Sequence, residues 1–596
     1  MFFRMTKTRT TPVLQLIRSF RNSEGRPCQK VVLSLGDPNL PKNLWKPVAR
    51  ELGDRLKGIK SLFTCSDEVE EWVEWILPQL ERKHNQSKKI QDVISIHPGK
   101  MTHRHSTDLG PILLAHRAWE DLEITSLLTR LGFRITEIRD VAISVMNRLI
   151  DPCSENALPD WVKTTSMEDL WGYPFRKLSK DRFYRTADKL LENKTQIERA
   201  LSKKEETLFS LDRTFYLYDL TNTYLEGSGK QNAKAKRGNS KEKRKDCPLV
   251  ALGLVLDREG FVIQHQTFSG NTHDSKTLLP MVEGLKSDGR SNSSSIIIVD
   301  SGLASEEHLK MLKSKNYDYL VVGKRSMRVA FEHEFATQSF SKITDREGKN
   351  TVEVAIKEEA TETLVLCKSA LRGEKEKAIF SQAEERLVKD LEKLKNSIDK
   401  KRFKTEEVIE RRIGKLLGKH SRAGRYYTVD LIKQKNGEVS LKWGRKDELY
   451  EREDPFFGTY YLRCSRKGLE ADEIWRLYIM LTRVEAGFKV LKSDLGLRPI
   501  YHQREDRTDS HLFITILAYH LLNWIEYSLR MQGDHRNWKT IRRVLQTHRY
   551  TTIVCPTANG TTLTIRTPGE PDSRQRAIYQ ALKINYQNLP RNEIVA

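Results

Sequence analysis

The spacing of hydrophobic residues changes near residue 215, and this change separates regions of different predicted structure. Residues 13–35 contain two apolar runs around a Ser-Glu-Gly-Arg-Pro turn, a pattern typical of a β-hairpin. From Pro41 to about Ser210, apolar residues recur three and four positions apart, which predicts amphipathic helices. We therefore expect a small β element followed by a mainly helical region.

Strand-like runs begin at Phe215. FYLYDLTNT, PLVALGLVLD and GFVIQHQTF are rich in β-branched and aromatic residues, and a tight Asp-Arg-Glu-Gly turn joins the last two. Helical and strand-like patterns then alternate through SSIIIVDSG and YDYLVVG. The order β β β α β α β predicts an α/β layer with a mixed sheet, in which three antiparallel strands are followed by parallel ones.

A long segment interrupts this alternation before a helical pattern resumes at Ala471. It carries a charged helical run over 374–419, which we interpret as solvent-exposed, and then several strand-like pieces. At 596 residues the chain is too long for one hydrophobic core. The predicted regions are a β-hairpin element (1–40), a helical region (41–210), an α/β core (211–323 and 471–545), an insertion (324–470) and a basic C-terminal tail (546–596).

The charge of the chain favours a polyanionic partner. Its formal net charge is +23 at pH 7, a field that attracts nucleic acid or an anionic membrane, and we favour nucleic acid. The one long apolar stretch, 512–527, contains His, Asn and Glu residues, so it is interpreted as a buried helix rather than a membrane span. The N-terminus lacks a secretory signal pattern, and seven singly scattered cysteines fit a reducing cytoplasm.

Two aspartates occupy the strand-like runs. Asp219 lies late in the first run and Asp300 closes the fourth, so both carboxylates reach one sheet edge if these strands are neighbours. Taken singly, each is more commonly an aspartate that accepts hydrogen bonds from nearby backbone amides. A third acid in the sequence makes a shared metal-binding site the favoured interpretation.

That acid is Glu485, in the helical pattern that starts at Ala471. Tyr478, Glu485 and Lys492 are spaced by seven, which places them on one face of a helix, flanked by residues that pack against the core. A glutamate buried there needs a cation or hydrogen bonds, and Lys492 is the structural alternative to a metal. Two aspartates and a glutamate suit Mg²⁺ or Mn²⁺, and two such ions about 4 Å apart catalyse in-line phosphoryl displacement.

Several long phrases together carry a family resemblance. YDLTNTYLEG, GLVLDREGFVIQHQTFSGNTHDSKTLLP, VDSGLASEEHLKMLKSKNYDYLVVGKR and VEAGFKVLKSDLGLRPIYHQREDRTDSHLFI resemble the DDE transposases of bacterial insertion sequences. The resemblance is to the branch with a β-rich insertion before the glutamate and a Tyr-Arg-Glu-Lys signature. It implies an RNase H-like mixed-sheet catalytic core after a helical DNA-binding region, with Asp219, Asp300 and Glu485 as catalytic metal ligands for Mg²⁺ or Mn²⁺.

The signature is incomplete in this chain. Tyr478, Glu485 and Lys492 fill its Tyr, Glu and Lys places, but Leu481 stands at its Arg place. Arg483, two residues further on, is expected to reach a phosphate instead. The resemblance thus implies DNA contacts from Tyr478, Arg483 and Lys492.

The resemblance also implies a function. We expect an enzyme that binds the terminal inverted repeats of its own element, cleaves them and transfers them to target DNA. Because two ends must be held together, it is expected to act as a homodimer, in the bacterial cytoplasm at the nucleoid and without a membrane partner. Two alternatives remain: a transposase-derived protein that only binds DNA, and a metal-dependent nuclease of the same fold that hydrolyses DNA without joining it.

A basic run follows Asp219. Between Gly229 and Cys247 there are six lysines and two arginines against two acids. A solvated loop is the neutral interpretation, but its position beside a candidate catalytic acid favours contact with DNA phosphates.

Replacing Lys241, Lys243, Arg244 and Lys245 together with Ala is expected to weaken binding to DNA of any sequence and to flatten its salt dependence, because fewer counterions are released on binding. Titration of DNA binding at several salt concentrations measures this slope. A slope equal to that of the wild type would assign the run to a solvated loop.

Overall fold

The elements of the chain were located in a computed structural model. It describes residues 1–7, 12–21, 27–36, 40–55, 66–87, 94–175, 178–238, 246–287, 295–344, 348, 351–400, 402–403, 405–433 and 439–595.

The described strands and helices are as follows. The strands are β1 Phe2–Lys7, β2 Pro12–Arg21, β3 Pro27–Ser34, β4 Thr102–Asp108, β5 Phe215–Tyr224, β6 Leu249–Leu256, β7 Val262–Ser269, β8 Ile296–Val299, β9 Asp318–Val322, β10 Ser341–Thr344, β11 Thr351–Glu358, β12 Thr363–Lys368, β13 Tyr427–Lys433, β14 Val439–Arg445, β15 Thr459–Cys464, β16 Arg549–Pro556, β17 Thr562–Pro568 and β18 Asn592–Val595. The helices are α1 Trp45–Arg55, α2 Asp67–Ser87, α3 Gly110–Asp121, α4 Ile124–Arg130, α5 Ile135–Ile150, α6 Leu158–Lys163, α7 Met167–Trp171, α8 Lys180–Glu192, α9 Lys194–Phe209, α10 Leu278–Ser287, α11 Glu306–Ser314, α12 Glu332–Thr337, α13 Ala370–Asp399, α14 Glu406–Lys419, α15 Ser421–Gly424, α16 Asp447–Glu453, α17 Ala471–Ile479, α18 Leu481–Ser493, α19 Glu505–Arg530, α20 Trp538–Leu545 and α21 Ser573–Ala581.

A nine-stranded mixed sheet forms the centre of the molecule, in the order β10-β11-β12-β15-β9-β8-β5-β6-β7. β5, β6 and β7 pair antiparallel, while β8 is parallel to both β5 and β9. The predicted α/β class and the predicted change from antiparallel to parallel pairing are thus confirmed. Every residue of β6 and β8 is buried, so these strands are apolar throughout rather than alternating.

The insertion differs from the prediction, because part of it joins the core sheet. β15 pairs antiparallel with β9 and is followed outward by β12, β11 and β10, so the insertion's strands continue the sheet past its parallel edge. The predicted strand-like pieces did not include β10, β11 or β12. The charged run forms α13 and α14, and with α15, β13 and β14 these helices make a separate small core around Leu387 and Leu391. The insertion therefore contains both an extension of the sheet and a projecting cluster.

Helix α19 passes through the largest hydrophobic core. By length and composition it could cross a membrane, but 78% of its most apolar window is buried inside the protein. It packs against α3, α5 and α8, and therefore joins the helical region to the α/β core.

The two ends of the chain pair more extensively than the predicted hairpin and strand-like tail. β1 adds a third strand to the N-terminal β2–β3 hairpin. The C-terminal segment is not an isolated tail: β16 pairs with β4, so β4, β16, β17 and β18 form a four-stranded sheet. Arg566 of β17 holds both carboxylate oxygens of Asp169 at 3.0 and 2.7 Å. The C-terminal segment therefore packs with the helical region. The prediction assigned residues 102–108 to helix, but they form strand β4.

The contact between α3 and the end of α20 depends on Gly110. A Cβ at this position would lie 2.3 Å from the backbone oxygen of Leu545, whereas a Cβ at Gly99 would meet nothing within 4 Å. Gly110→Ala is expected to destabilise the protein by about 2 kcal/mol, since backbone must move to accommodate the methyl group. Thermal unfolding of Gly110→Ala and of the control Gly99→Ala measures the difference, and equal melting temperatures would contradict this packing.

Candidate active site

The pairing of β5 with β8 brings Asp219 and Asp300 together. The parallel register pairs Tyr218 with Val299, so the residue after each is an aspartate at the same level of two neighbouring strands. Such strands lie about 4.8 Å apart. Both carboxylates were predicted to reach one sheet edge if these two strands are neighbours, and they are neighbours. Asp300 closes its strand as expected, but Asp219 lies in the middle of β5, which continues beyond the end of β8.

Both aspartates project from the same face of the sheet. Side chains alternate along a strand, so Asp219 shares a face with Leu217, and Asp300 shares one with Ile298. Leu217 and Ile298 both belong to the core that includes residues of α17 and α18, whereas Tyr218 and Val299 face the opposite core beside α10 and α11. The two carboxylates therefore point towards the layer that carries Glu485.

Glu485 is positioned by α18, which packs on β5. Val484, Phe488 and Leu491 are buried and anchor the helix. The predicted continuous helix is in fact two, α17 and α18, which meet at Met480. The expectation that Glu485 is buried is wrong, because its side chain is exposed.

The three acids line one cavity of about 290 Å³. Its other lining residues come from the start of α13, from β11, β15 and the α17–α18 junction; they are Thr351, Val352, Ser369, Leu371, Arg372, Tyr460, Trp475, Tyr478, Ile479, Leu481 and Thr482. The structure thus brings together four residues named from the sequence, the three acids and Tyr478, together with the substituted position Leu481.

Backbone hydrogen bonds hold the two aspartates. Asp219 Oδ1 accepts from the amide of Leu220, and Asp300 Oδ1 accepts from that of Ser301, each at 2.7 Å.

The pKa of Tyr478 is raised by its surroundings in this cavity. Burial, followed by the negative charge of Asp300 and with a smaller effect of Glu485, raises its pKa to about 12, while the positive charge of Arg372 opposes the rise. At neutral pH the phenol is therefore protonated and able to donate a hydrogen bond beside the acids.

Arg372 was not identified from the sequence. It lies in the first turn of α13, in the insertion, and lines the cavity together with residues of α18. Among the described residues that line the cavity, it is the one basic side chain. No local motif marks it, because its role depends on the pairing of the insertion's strands with the core sheet.

Two of the expected DNA contacts lie elsewhere. Arg483 does not line the cavity; it donates to the carbonyl of Arg258 and pairs with Glu259 at 3.2 Å, so it joins α18 to the β6–β7 turn. This position speaks against the expectation that it reaches a phosphate beside the acids. Lys492 also lies outside the lining. Lys241, Lys243, Arg244 and Lys245 of the basic run lie outside the described residues.

A second cluster of titratable side chains was also missed. Glu155, His502 and His511 bring their ligand atoms within 4.8 Å of one another, although Glu155 is far in sequence from the two histidines. Arg148 lies between them, 3.4 Å from Glu155 and 3.1 Å from Nδ1 of His511. Since this guanidinium already neutralises the carboxylate, we interpret the cluster as a polar network that joins α5 to α19.

Comparison with known proteins identifies the family of the chain. A family model described as "Transposase DDE domain" matches residues 210–521, just over half of the chain, from the strand that carries Asp219 through the helix that carries Glu485 and into α19. No curated protein matched the chain. The chain therefore belongs to the DDE transposase family.

Proposed function

We propose that this protein is an insertion-sequence transposase that binds the terminal inverted repeats of its element and catalyses DNA cleavage and strand transfer. Asp219, Asp300 and Glu485 are the proposed catalytic acids. The observation that carries the proposal is their convergence from two strands and a helix on one cavity. Membership of the DDE transposase family supports the same chemistry.

The fold supports an RNase H-like core. Strands β7, β6, β5, β8 and β9 lie side by side, the first three antiparallel and the last two parallel to β5. Helices α10 and α11 cover one face, while α17 and α18 cover the other. The proposed catalytic acids lie on the face covered by α17 and α18.

The donor set fits Mg²⁺ or Mn²⁺. All three acids offer hard oxygen ligands, and the described lining contains no Cys or His that would favour a softer metal. The proposed mechanism would use two such ions, held by the three carboxylates. When bound, such ions activate an attacking water or 3′-hydroxyl and stabilise the leaving oxygen of an in-line phosphoryl displacement.

The chain's own residues fix the geometry. The backbone bonds of Asp219 and Asp300 set the direction of their carboxylates, and the packing of α18 on β5 sets the position of Glu485. The protonated Tyr478 can donate a hydrogen bond to a DNA phosphate oxygen at the same cavity. Preorganised groups of this kind lower the reorganisation needed in the transition state.

The proposed partners are double-stranded DNA, both element ends and target, and a second copy of the chain. A homodimer follows from the need to hold two ends at once, and the proposed location is the bacterial nucleoid. A DNA-binding protein derived from a transposase and a nuclease of the same fold are the alternatives. Inverted repeats bordered by short direct duplications around the coding region would favour a mobile element.

Cleavage of DNA is expected to require Mg²⁺ or Mn²⁺ and to fail with Ca²⁺, whose looser coordination supports binding but not the in-line geometry. The assay follows nicking of a plasmid that carries the DNA flanking the coding region, with each ion in turn. Full activity in excess chelator would refute the metal mechanism.

Glu485→Gln is expected to abolish cleavage and joining while DNA binding and thermal stability remain near wild type. The side chain is exposed in a cavity that holds two other carboxylates, so loss of its charge leaves no deeply buried cation uncompensated. Asp219→Asn and Asp300→Asn are expected to behave in the same way. Cleavage, binding and melting temperature are measured on each variant.

The matched control is Glu473→Gln, which makes the same exchange at an exposed position of α17 outside the cavity. It is expected to cleave at the wild-type rate. A Glu485→Gln protein that is destabilised yet still cuts DNA would assign Glu485 to a structural role, for example beside Lys492, and would remove it from the catalytic set.

A further inference from the structure

A second cavity, of about 400 Å³, adjoins the acid cavity and shares Arg372 and Tyr460 with it. It begins at Ser301 and Gly302, the two residues that follow Asp300, and extends to the end of β9. Both cavities therefore open at the edge of the sheet where β8 and β9 end.

The second cavity is basic. Lys324 and Arg325 line it with exposed side chains. Arg328 also lines it but is buried, and donates to the carbonyls of Phe456 and Thr459, so its role is structural. Among the described residues that line this cavity there is no acid. The second cavity therefore favours a negatively charged ligand, although the neighbouring acid cavity carries three carboxylates.

Arg372 is held rigidly between the two cavities. Its Nε donates to Glu376 at 3.3 Å, and its guanidinium lies 4.6 Å from the ring centroid of Tyr460. Glu376 also accepts from the amide of Gly458 at 3.1 Å and from Arg325 at 3.2 Å. These contacts engage Nε and one face of the guanidinium, and its terminal nitrogens make no hydrogen bond to the described residues.

The acid cavity needs such a cation. A DNA phosphate that approaches three carboxylates is repelled unless positive groups offset them, and the protein supplies one such group there, Arg372, among the described lining residues. Leu481, which faces the same cavity from α18, can donate no hydrogen bond. A planar guanidinium is well suited to bind a phosphate through two nitrogens.

We propose that one DNA strand runs from the acid cavity across Arg372 into the second cavity, with Arg372 donating to the phosphate beside the bond that is cleaved. Lys324 then neutralises a phosphate further along the strand. The insertion thereby completes the active site. This inference rests on the proposed function of the three acids.

The test compares Arg372→Gln and Lys324→Gln with the control Arg386→Gln, which removes the same charge from an exposed position of α13 outside both cavities. Each full-length variant is assayed for Mg²⁺-dependent nicking of the plasmid carrying the flanking DNA. Binding of the same DNA without metal at several salt concentrations and binding of Mn²⁺ without DNA are measured separately.

Arg372→Gln is expected to lower the nicking rate at saturating DNA about 100-fold, the usual effect of losing one donor to a reacting oxyanion. Its Mn²⁺ affinity should rise by about threefold, because a positive charge beside the acids is gone. General misfolding would lower both quantities. Lys324→Gln should reduce the salt slope of DNA binding by about one, and Arg386→Gln should match the wild type in every measurement.

Wild-type nicking by Arg372→Gln together with an unchanged salt slope for Lys324→Gln would overturn this inference and leave the proposed function intact. Weaker Mn²⁺ binding by Arg372→Gln would also overturn it, since that result indicates structural damage rather than a lost phosphate contact. A wild-type chain that binds DNA but nicks none with Mg²⁺ or Mn²⁺ would instead remove the proposed function, and the contact of Arg372 with a cleaved strand would fall with it.

Discussion

The parallel pairing of β5 with β8 is the contact on which the acid cavity depends. Its register sets Asp219 beside Asp300, and the alternation of side chains turns both towards the layer that contains Glu485. A shift of one residue would turn one aspartate into the core beside α10. The apolar side chains of β5 and β8, buried on both faces of the sheet, oppose such a shift. Two acids thus owe their position to the hydrophobic residues next to them.

The sequence predicted the parts of this arrangement that local patterns encode. The apolar run that ends at Asp300 and the heptad spacing of Tyr478 and Glu485 both pointed to the cavity, as did the family resemblance. Local patterns do not encode which strands pair over long distances. β4 is a largely exposed strand of polar residues that exists because β16 pairs with it, and no alternation marks it. Arg372 was missed for the same reason.

The burial of Glu485 was predicted wrongly. The spacing of apolar residues identifies the face of the helix that packs on the core, but it does not show a cavity along that face. Val484, Phe488 and Leu491 fill that face as expected. The helix break at Met480 and the opening lined by Leu481 and Thr482 leave the glutamate exposed to the cavity. The proposed catalytic role of Glu485 requires this exposure, since a fully packed carboxylate could bind neither metal nor substrate.

The length of α13 has a mechanical consequence. Its 30 residues form a rod of about 45 Å. The near end is fastened by the cap of Ser369 and by the bond from Gly458 to Glu376, and the far half is embedded in the small core around Leu391. A stiff helix converts a rotation of the distal cluster into a displacement of the guanidinium beside the acids. A molecule that binds the distal end of the insertion would therefore be able to shift Arg372 at the acid cavity.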